Sequence, residues 1–203
     1  MEIKEILKAV KDGELSVDEA VLKLKIKPFH DIGYAKVDIH RELRQGRPEV
    51  IYGAGKTVEQ ITGIIETMQE NGQDNVLVTR IGKAEGEAIK AHFEDVRCHP
   101  EAGIAIKGRN KEVSGIGTVL VATGGTSDIP VAEEAALTAE FFGNKVTRLY
   151  DVGVAGLHRL LSHAEEIMDA SVIIAVAGME GALASVIGGL TDCPVIAVPT
   201  SVG

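Results

Sequence analysis

The chain has 203 residues, 45% hydrophobic and 25% charged, a balance that suits one large or two small globular domains with length enough to bury a core. A formal net charge of −9 disfavours nucleic acid or an anionic membrane as the main partner, while leaving small anions open to local donors. Only Cys98 and Cys193 are present, which excludes a disulfide-stapled scaffold and fits a reducing cytoplasm; the charged start is no signal sequence, and no uncharged run of ~18 residues marks a membrane span.

Aromatic content of 3% with no Trp means a core of Val, Ile, Leu and Ala. Ile3, Ile6, Leu7 and Val10 have helical spacing, and Ser16-Val-Asp-Glu19 reads as a capping box opening a second helix through Leu24, with Pro28 ending the pair. A packing or assembly role is the plainer reading of this hairpin. A strand over Glu49–Gly53, a helix from Thr57 to about Asn71, a strand over Asn75–Thr79 and a helix over Lys83–Phe93 form one α/β unit. Val96–Ile106 reads as irregular strands leading to a polar linker, Lys107–Gly115. We expect a helical hairpin and small α/β domain over 1–112, and a second domain over 113–203.

In the second domain the pattern is strand 118–123, helix 130–142, strand 146–151, helix 156–169, strand 171–177, helix 181–190 and strand 194–199. Apolar strands alternating with helices imply right-handed crossovers and a parallel, doubly wound sheet. The strands end in small residues, and ligands of such sheets bind outside the carboxyl ends. At the first end, Gly124-Gly125-Thr126-Ser127-Asp128 precedes a helix, which predicts free backbone N–H groups facing an anion. Asp128 reads equally as an N-cap and as a substrate carboxylate. Glu180, in Gly178-Met179-Glu180-Gly181, either serves the helix dipole or acts as a general base or metal ligand.

Other motifs are weaker. Gly53-Ala-Gly-Lys-Thr57 resembles the tail of a P-loop, but Val50 stands where its first glycine belongs, so a helix start is the better reading. Gly115-Ile-Gly117 precedes a strand and is no dinucleotide fingerprint. Cys98-His99 with His92 lacks metal-ligand spacing, and neighbours on a strand face opposite ways. His158 and His163 fit a solvated role as well as a functional one.

Thr126-Ser-Asp-Ile-Pro-Val131, Ser162-His-Ala-Glu-Glu166, Ala175-Val-Ala-Gly178 and Thr191 to Pro199 resemble the PurE family of aminoimidazole ribonucleotide carboxylases and mutases. The resemblance implies a three-layer α/β/α domain, usually an octamer, whose loops grip a ribonucleotide. PurE enzymes carry Ala-His-Arg after the second strand, where this chain has Val152-Gly-Val-Ala155; the departure argues against purine chemistry. Over the whole chain, Val37-Asp38, His40-Arg41, Leu43 to Gly46, Pro48 to Ile51, Gly55-Lys56-Thr57, Thr123 to Asp128 and Gly178 to Gly181 resemble the LarB family. That resemblance implies a cytoplasmic homo-oligomer, expected as an octamer. It implies carboxylation of the pyridinium ring of nicotinic acid adenine dinucleotide with CO₂ and hydrolysis of the phosphoanhydride. Pyridinium biscarboxylic acid mononucleotide and AMP result, the first step towards the nickel-pincer nucleotide of lactate racemase.

Under this reading Glu180 and Asp128 are the catalytic candidates. Gly124, Gly125, Thr126, Ser127, Asp128, Val152, Gly153, Gly178, Met179, Gly181, Thr200 and Ser201 are the substrate-binding ones. Mg²⁺ suits the pyrophosphate cleavage, no organic cofactor is held, and the metal ligands are unknown. The family's mechanism adds a cysteine thiolate to the ring; its cysteine follows the last motif and is expected beyond Gly203, so the chain reads as shortened there. A PurE-type carboxylase or mutase and a non-catalytic dinucleotide-binding module are the alternatives.

Overall fold

The computed structural model describes residues 3–26, 29–39, 41, 45–109 and 112–201; Pro28, His40, Leu43 and Arg44 of the motifs above lie outside them. Helices α1 (Ile3–Lys11) and α2 (Val17–Ile26) form the expected hairpin. The capping box is reciprocal: the Glu19 N–H donates to Ser16 Oγ at 3.2 Å, and the Ser16 N–H donates to Glu19 Oε2 at 2.9 Å. A short antiparallel ribbon, β1 (His30–Asp31) with β2 (Lys36–Val37), follows.

The first four-stranded sheet contains β3 (Val50–Tyr52), β4 (Val76–Thr79), β5 (Val96–His99) and β6 (Ile104–Lys107), in the order β3-β4-β6-β5. β3 and β4 are parallel, joined by α3 (Val58–Glu70), and α4 (Lys83–His92) follows β4. Ile61, Ile65 and Met68 of α3 and Ile89 of α4 are fully buried against Val76 and Val78. The segment expected to be irregular is a regular antiparallel hairpin, β5–β6. Lys107 belongs to that hairpin and not to the linker: its stem is buried while its ammonium reaches Asp95 at 2.8 Å.

The second sheet holds β7 (Thr118–Thr123), β8 (Lys145–Leu149), β9 (Val172–Ala177) and β10 (Val195–Pro199), all parallel, ordered β10-β9-β7-β8. Period-two alternation sends Leu120, Ala122, Ile173 and Ala175 to one face, under Leu160, Ile167, Leu183 and Ile187. Those come from α6 (Leu157–Leu161), α7 (Ala164–Met168) and α8 (Ala182–Gly188). Val121 and Val176 face the other way, onto Ala132 and Ala136 of α5 (Ile129–Phe141). The C-terminal part is thus a parallel α/β/α domain, the architecture expected above, beside a smaller N-terminal α/β part. Where one helix was expected over 156–169, the chain breaks at Ser162-His163. The Ser162 hydroxyl donates to the Arg159 carbonyl at 2.7 Å, competing with the helix ladder.

Helix α5 serves both sheets. Five residues beyond Ala132 and Ala136 respectively, its Leu137 and Phe141 are buried against Leu77, Ile104 and Ile106 of the first sheet and Ala102 of its β5–β6 turn. Arg47 Nη1 donates to the Phe142 carbonyl at 2.8 Å, and Arg80 pairs with Glu134 at 3.2 Å across the same seam. Among the described residues, no helix is long and apolar enough to cross a membrane.

Candidate active site

From β7 the chain runs first to β8 on one side and then across to β9 on the other. The loops leaving β7 and β9 therefore diverge and leave a crevice at the carboxyl edge, the usual ligand position in such sheets. Backbone hydrogen bonds lace the strand ends together: Gly124 N–H to the Val176 carbonyl at 2.9 Å, Val152 N–H to Thr123 at 3.0 Å, and Thr200 N–H to Ala177 at 3.1 Å. Every sequence-predicted site residue lies on this edge. Gly153 is fixed there by space, because a Cβ would come within 2.5 Å of the Gly124 carbonyl oxygen.

The free N–H groups expected at this corner are not those of the glycines. Gly124 N–H is spent on Val176, and Gly125 N–H donates to Asp128 Oδ2 at 3.0 Å. Asp128 is 4% exposed, and its Oδ1 accepts the Thr200 hydroxyl at 2.7 Å. It is therefore a buried tie between the β7 and β10 loops, satisfied at both oxygens. The donors left over are one step on: the exposed Thr126 and Ser127 open the 3₁₀ turn into α5, and their N–H groups donate to no described group.

Glu180 is of the opposite kind. It is exposed and holds no hydrogen bond among the described residues. Helix α8 starts at Ala182 with Gly181 as N-cap and no side-chain cap, so Glu180 makes no capping hydrogen bond to that helix. Its neighbours Met179 (φ 53°) and Gly181 (φ 65°) both sit in the left-handed region, which swings this corner outward and leaves Met179 84% exposed.

One residue that sequence reasoning missed shares the edge. Asp151, after β8, has φ 58° and pairs with Arg159 Nη1 at 2.6 Å. Its N–H donates to Thr123 Oγ1 at 2.9 Å. Strained non-glycine residues collect at functional corners. The available signal was an Asp before Val-Gly at a strand end, since Asp tolerates the left-handed region. Gly178 and Gly153 are half-buried, Val152 is buried, and Ser201 is exposed. Among the described residues no three His, Cys, Asp or Glu side chains gather as a metal site.

The remaining chemistry-bearing residues stand elsewhere. Cys98 Sγ lies 3.0 Å from the Gly86 carbonyl, and burial, with Glu87 nearby, pushes its thiol up. Cys193 lies in the turn before β10, at the opposite edge of the sheet. His99 faces away from Cys98 toward the seam, where Arg148 bridges Glu133 at 3.0 Å and Glu140 at 2.6 Å and Tyr150 donates to Glu133 at 2.7 Å. Burial works to raise the Glu133 pKa, but Arg148 and Tyr150 outweigh it and hold the carboxyl below its ordinary range. Burial, then Arg97, keeps His99 below the usual imidazole range. Two clefts open along this seam, of about 630 and 460 Å³, and no predicted site residue at the second sheet's carboxyl edge lines either one. Cleft size and the predicted site thus part company: the Thr126 and Ser127 N–H groups and the Glu180 carboxylate line neither cleft.

Known proteins and families are similar to both parts of the chain. The family described as LarB/PurE-like N-terminal domain matches residues 29–109, and the family described as AIR carboxylase matches residues 118–203. An uncharacterized protein of Methanocaldococcus jannaschii is 42% identical over 209 residues, covering 98% of this chain and 81% of the relative. The N5-carboxyaminoimidazole ribonucleotide mutase of the same organism is 38% identical over 84 residues, 40% of this chain and 51% of that enzyme. With a carboxylase-type domain carrying the crevice and a LarB-type domain before it, the chain belongs to the LarB family, its C-terminal half PurE-like.

Proposed function

We propose that this chain carboxylates the pyridinium ring of nicotinic acid adenine dinucleotide and cleaves its phosphoanhydride, giving the biscarboxylated mononucleotide and AMP. One observation carries the reading: the loops after β7 and β9 bring to one carboxyl edge the Thr126 and Ser127 N–H groups, which donate to no described group, and the Glu180 carboxylate, which has no partner among the described residues. The first pair suits a phosphate, and the second suits removal of a ring proton. Val152 and Gly153 close one side of the mononucleotide pocket, and Gly178, Met179, Gly181, Thr200 and Ser201 line the other. Asp128 acts as a positioning residue, holding the β7 loop to Thr200.

The electron-poor ring captures CO₂ only after a nucleophile has added to it. CO₂ then bonds to the activated carbon, the proton there leaves to Glu180, and the nucleophile is expelled. The raised thiol of Cys98 and the distant Cys193 take no part; in this reading the thiolate is the one the family carries after its last motif. Water cleaves the phosphoanhydride; Mg²⁺ bound to the substrate's own pyrophosphate would neutralise charge there, since among the described residues no three His, Cys, Asp or Glu side chains gather to hold it. Octameric assembly in the cytoplasm belongs to the same reading. Exposed Leu157, Leu161 and Ile196 on the second unit support it, and light scattering checks it.

A PurE-type activity is favoured by the likeness to the mutase, and opposed by the Val152–Ala155 corner, which offers no imidazole. Mass spectrometry of products separates the two. Nicotinic acid adenine dinucleotide, bicarbonate and Mg²⁺ are incubated with the longest natural form of the chain, and aminoimidazole ribonucleotide replaces the dinucleotide in a parallel arm. AMP with a biscarboxylated mononucleotide is expected. A carboxylated aminoimidazole ribonucleotide, or dinucleotide binding without product, overturns the reading. Glu180→Gln is expected to lower turnover by about 10²–10⁴-fold, with an unchanged unfolding curve because the carboxylate holds nothing in place.

A further inference from the structure

The smaller seam cleft, about 460 Å³, joins both parts of the molecule. From the first sheet it takes Arg97 on β5, Ile106 on β6 and Arg109 just beyond; from the second part it takes Phe141 on α5 and Lys145 at the start of β8. Arg97, Arg109 and Lys145 are exposed, and none forms an ion pair among the described residues. The cleft's carboxylate, Glu140, is already held by Arg148 at 2.6 Å. His99 at its edge stays uncharged near neutrality. Three free cations therefore face one neutralised carboxylate, on a chain whose formal charge is −9.

The floor has another character. Ile106, Leu137 and Phe141 are 6%, 9% and 5% exposed, and exposed Val113 stands on the rim. An apolar floor under a cationic rim, with volume in the range of small-molecule sites, matches a ligand with a flat, weakly polar body and a polyanionic head. We propose that this cleft binds a nucleoside polyphosphate, its phosphates on Arg97, Arg109 and Lys145 and its base over Phe141 and Ile106. The site is distinct from the strand-end crevice. It uses Lys145 and Val146, whereas the crevice lies past Leu149, roughly 13 Å along β8 at ~3.3 Å per residue. Because its walls come from both parts, a bound nucleotide also clamps the seam and raises the melting temperature.

The test is calorimetric titration of the intact chain with ATP, adenosine and inorganic triphosphate, with 8-azido-ATP photolabelling and peptide mapping. ATP is expected to bind more tightly than either fragment, more weakly as salt rises, and to label peptides within 97–113 or 137–146. The double variant R97E/K145E, changed only at exposed positions, should lose at least about tenfold in affinity, or about 1.4 kcal/mol, while unfolding as the parent does. No binding, ATP no tighter than triphosphate, equal affinity in the double variant, or labels confined to 124–128 and 178–181 would each overturn the proposal.

Discussion

The two sheets each contain a strand that runs through glycines into a helix, and the two corners use their donors differently. After β3, Thr57 and Gln60 close a complete capping box, with Thr57 Oγ1 accepting from Gln60 N–H at 3.3 Å, and Lys56 folds back to donate to the Tyr52 carbonyl at 2.8 Å. After β7, the carboxylate that answers Gly125 is shared with Thr200 on another strand, and the next two N–H groups are left free. The first corner is closed by its own residues and only builds a helix. The second is braced from across the sheet by Asp128 and Thr200, and among the described residues its next two N–H groups stay uncommitted.

Several variants would break or sharpen that contrast. The largest effect is expected where the two parts meet: Phe141→Ala removes a buried ring shared by both sheets and should cost about 3–5 kcal/mol in chemical denaturation. A loss below about 1 kcal/mol would mean that the seam is no common core. Asp128→Ala leaves the Gly125 N–H and the Thr200 hydroxyl without their acceptor, and should cost about 1.5–3 kcal/mol and abolish turnover. Thr57→Ala at the other corner should cost about 1 kcal/mol with turnover unchanged. Equal catalytic damage from both would erase the distinction.

The smallest effect is on pH. The His99 pKa in the folded chain is lowered from 6.5, so the unfolded chain takes up the proton first. Stability is therefore full above 6.5 and declines as pH falls below it. Glu133, lowered from 4.5, adds a further loss of the same sign only below that value. Thermal melts between these two windows should flatten in His99→Gln, and a slope unchanged by the substitution would remove His99 from the seam's electrostatics.

Much of this was legible in the sequence. The strand at Thr118–Thr123 has the predicted bounds, and Val172–Ala177 differs by one residue, because continuous apolar runs allow few alternatives. Both capping boxes were readable from residue type and spacing alone. The carboxyl-edge location followed from strand–helix alternation, and Gly153 and Glu180 fall there as expected. What escaped depends on partners far away in the chain. The acceptor role of Asp128 is defined with Thr200, 72 residues on, and nothing local says that Gly125 will spend its N–H on it. The left-handed Asp151 and Met179 are set by how loops meet around the crevice. The burial of Leu137 and Phe141 against a second sheet was invisible in a helix that looked merely alanine-rich.

Helix α5 has 13 residues and is therefore about 20 Å long. Its near end carries the Thr126–Asp128 corner, and its far end is gripped by the first sheet through Leu137 and Phe141. It behaves as a stiff rod held at the wrong end for local adjustment. A tilt of about 3° at the grip displaces the tip by about 1 Å, a misplacement large enough to cost ~100-fold in rate when it falls on a reacting group. The position of the Thr126 and Ser127 N–H groups relative to Glu180 is thus gauged by packing at the far end of α5. The N-terminal part, which contributes no residue to the crevice, would then act as its alignment jig.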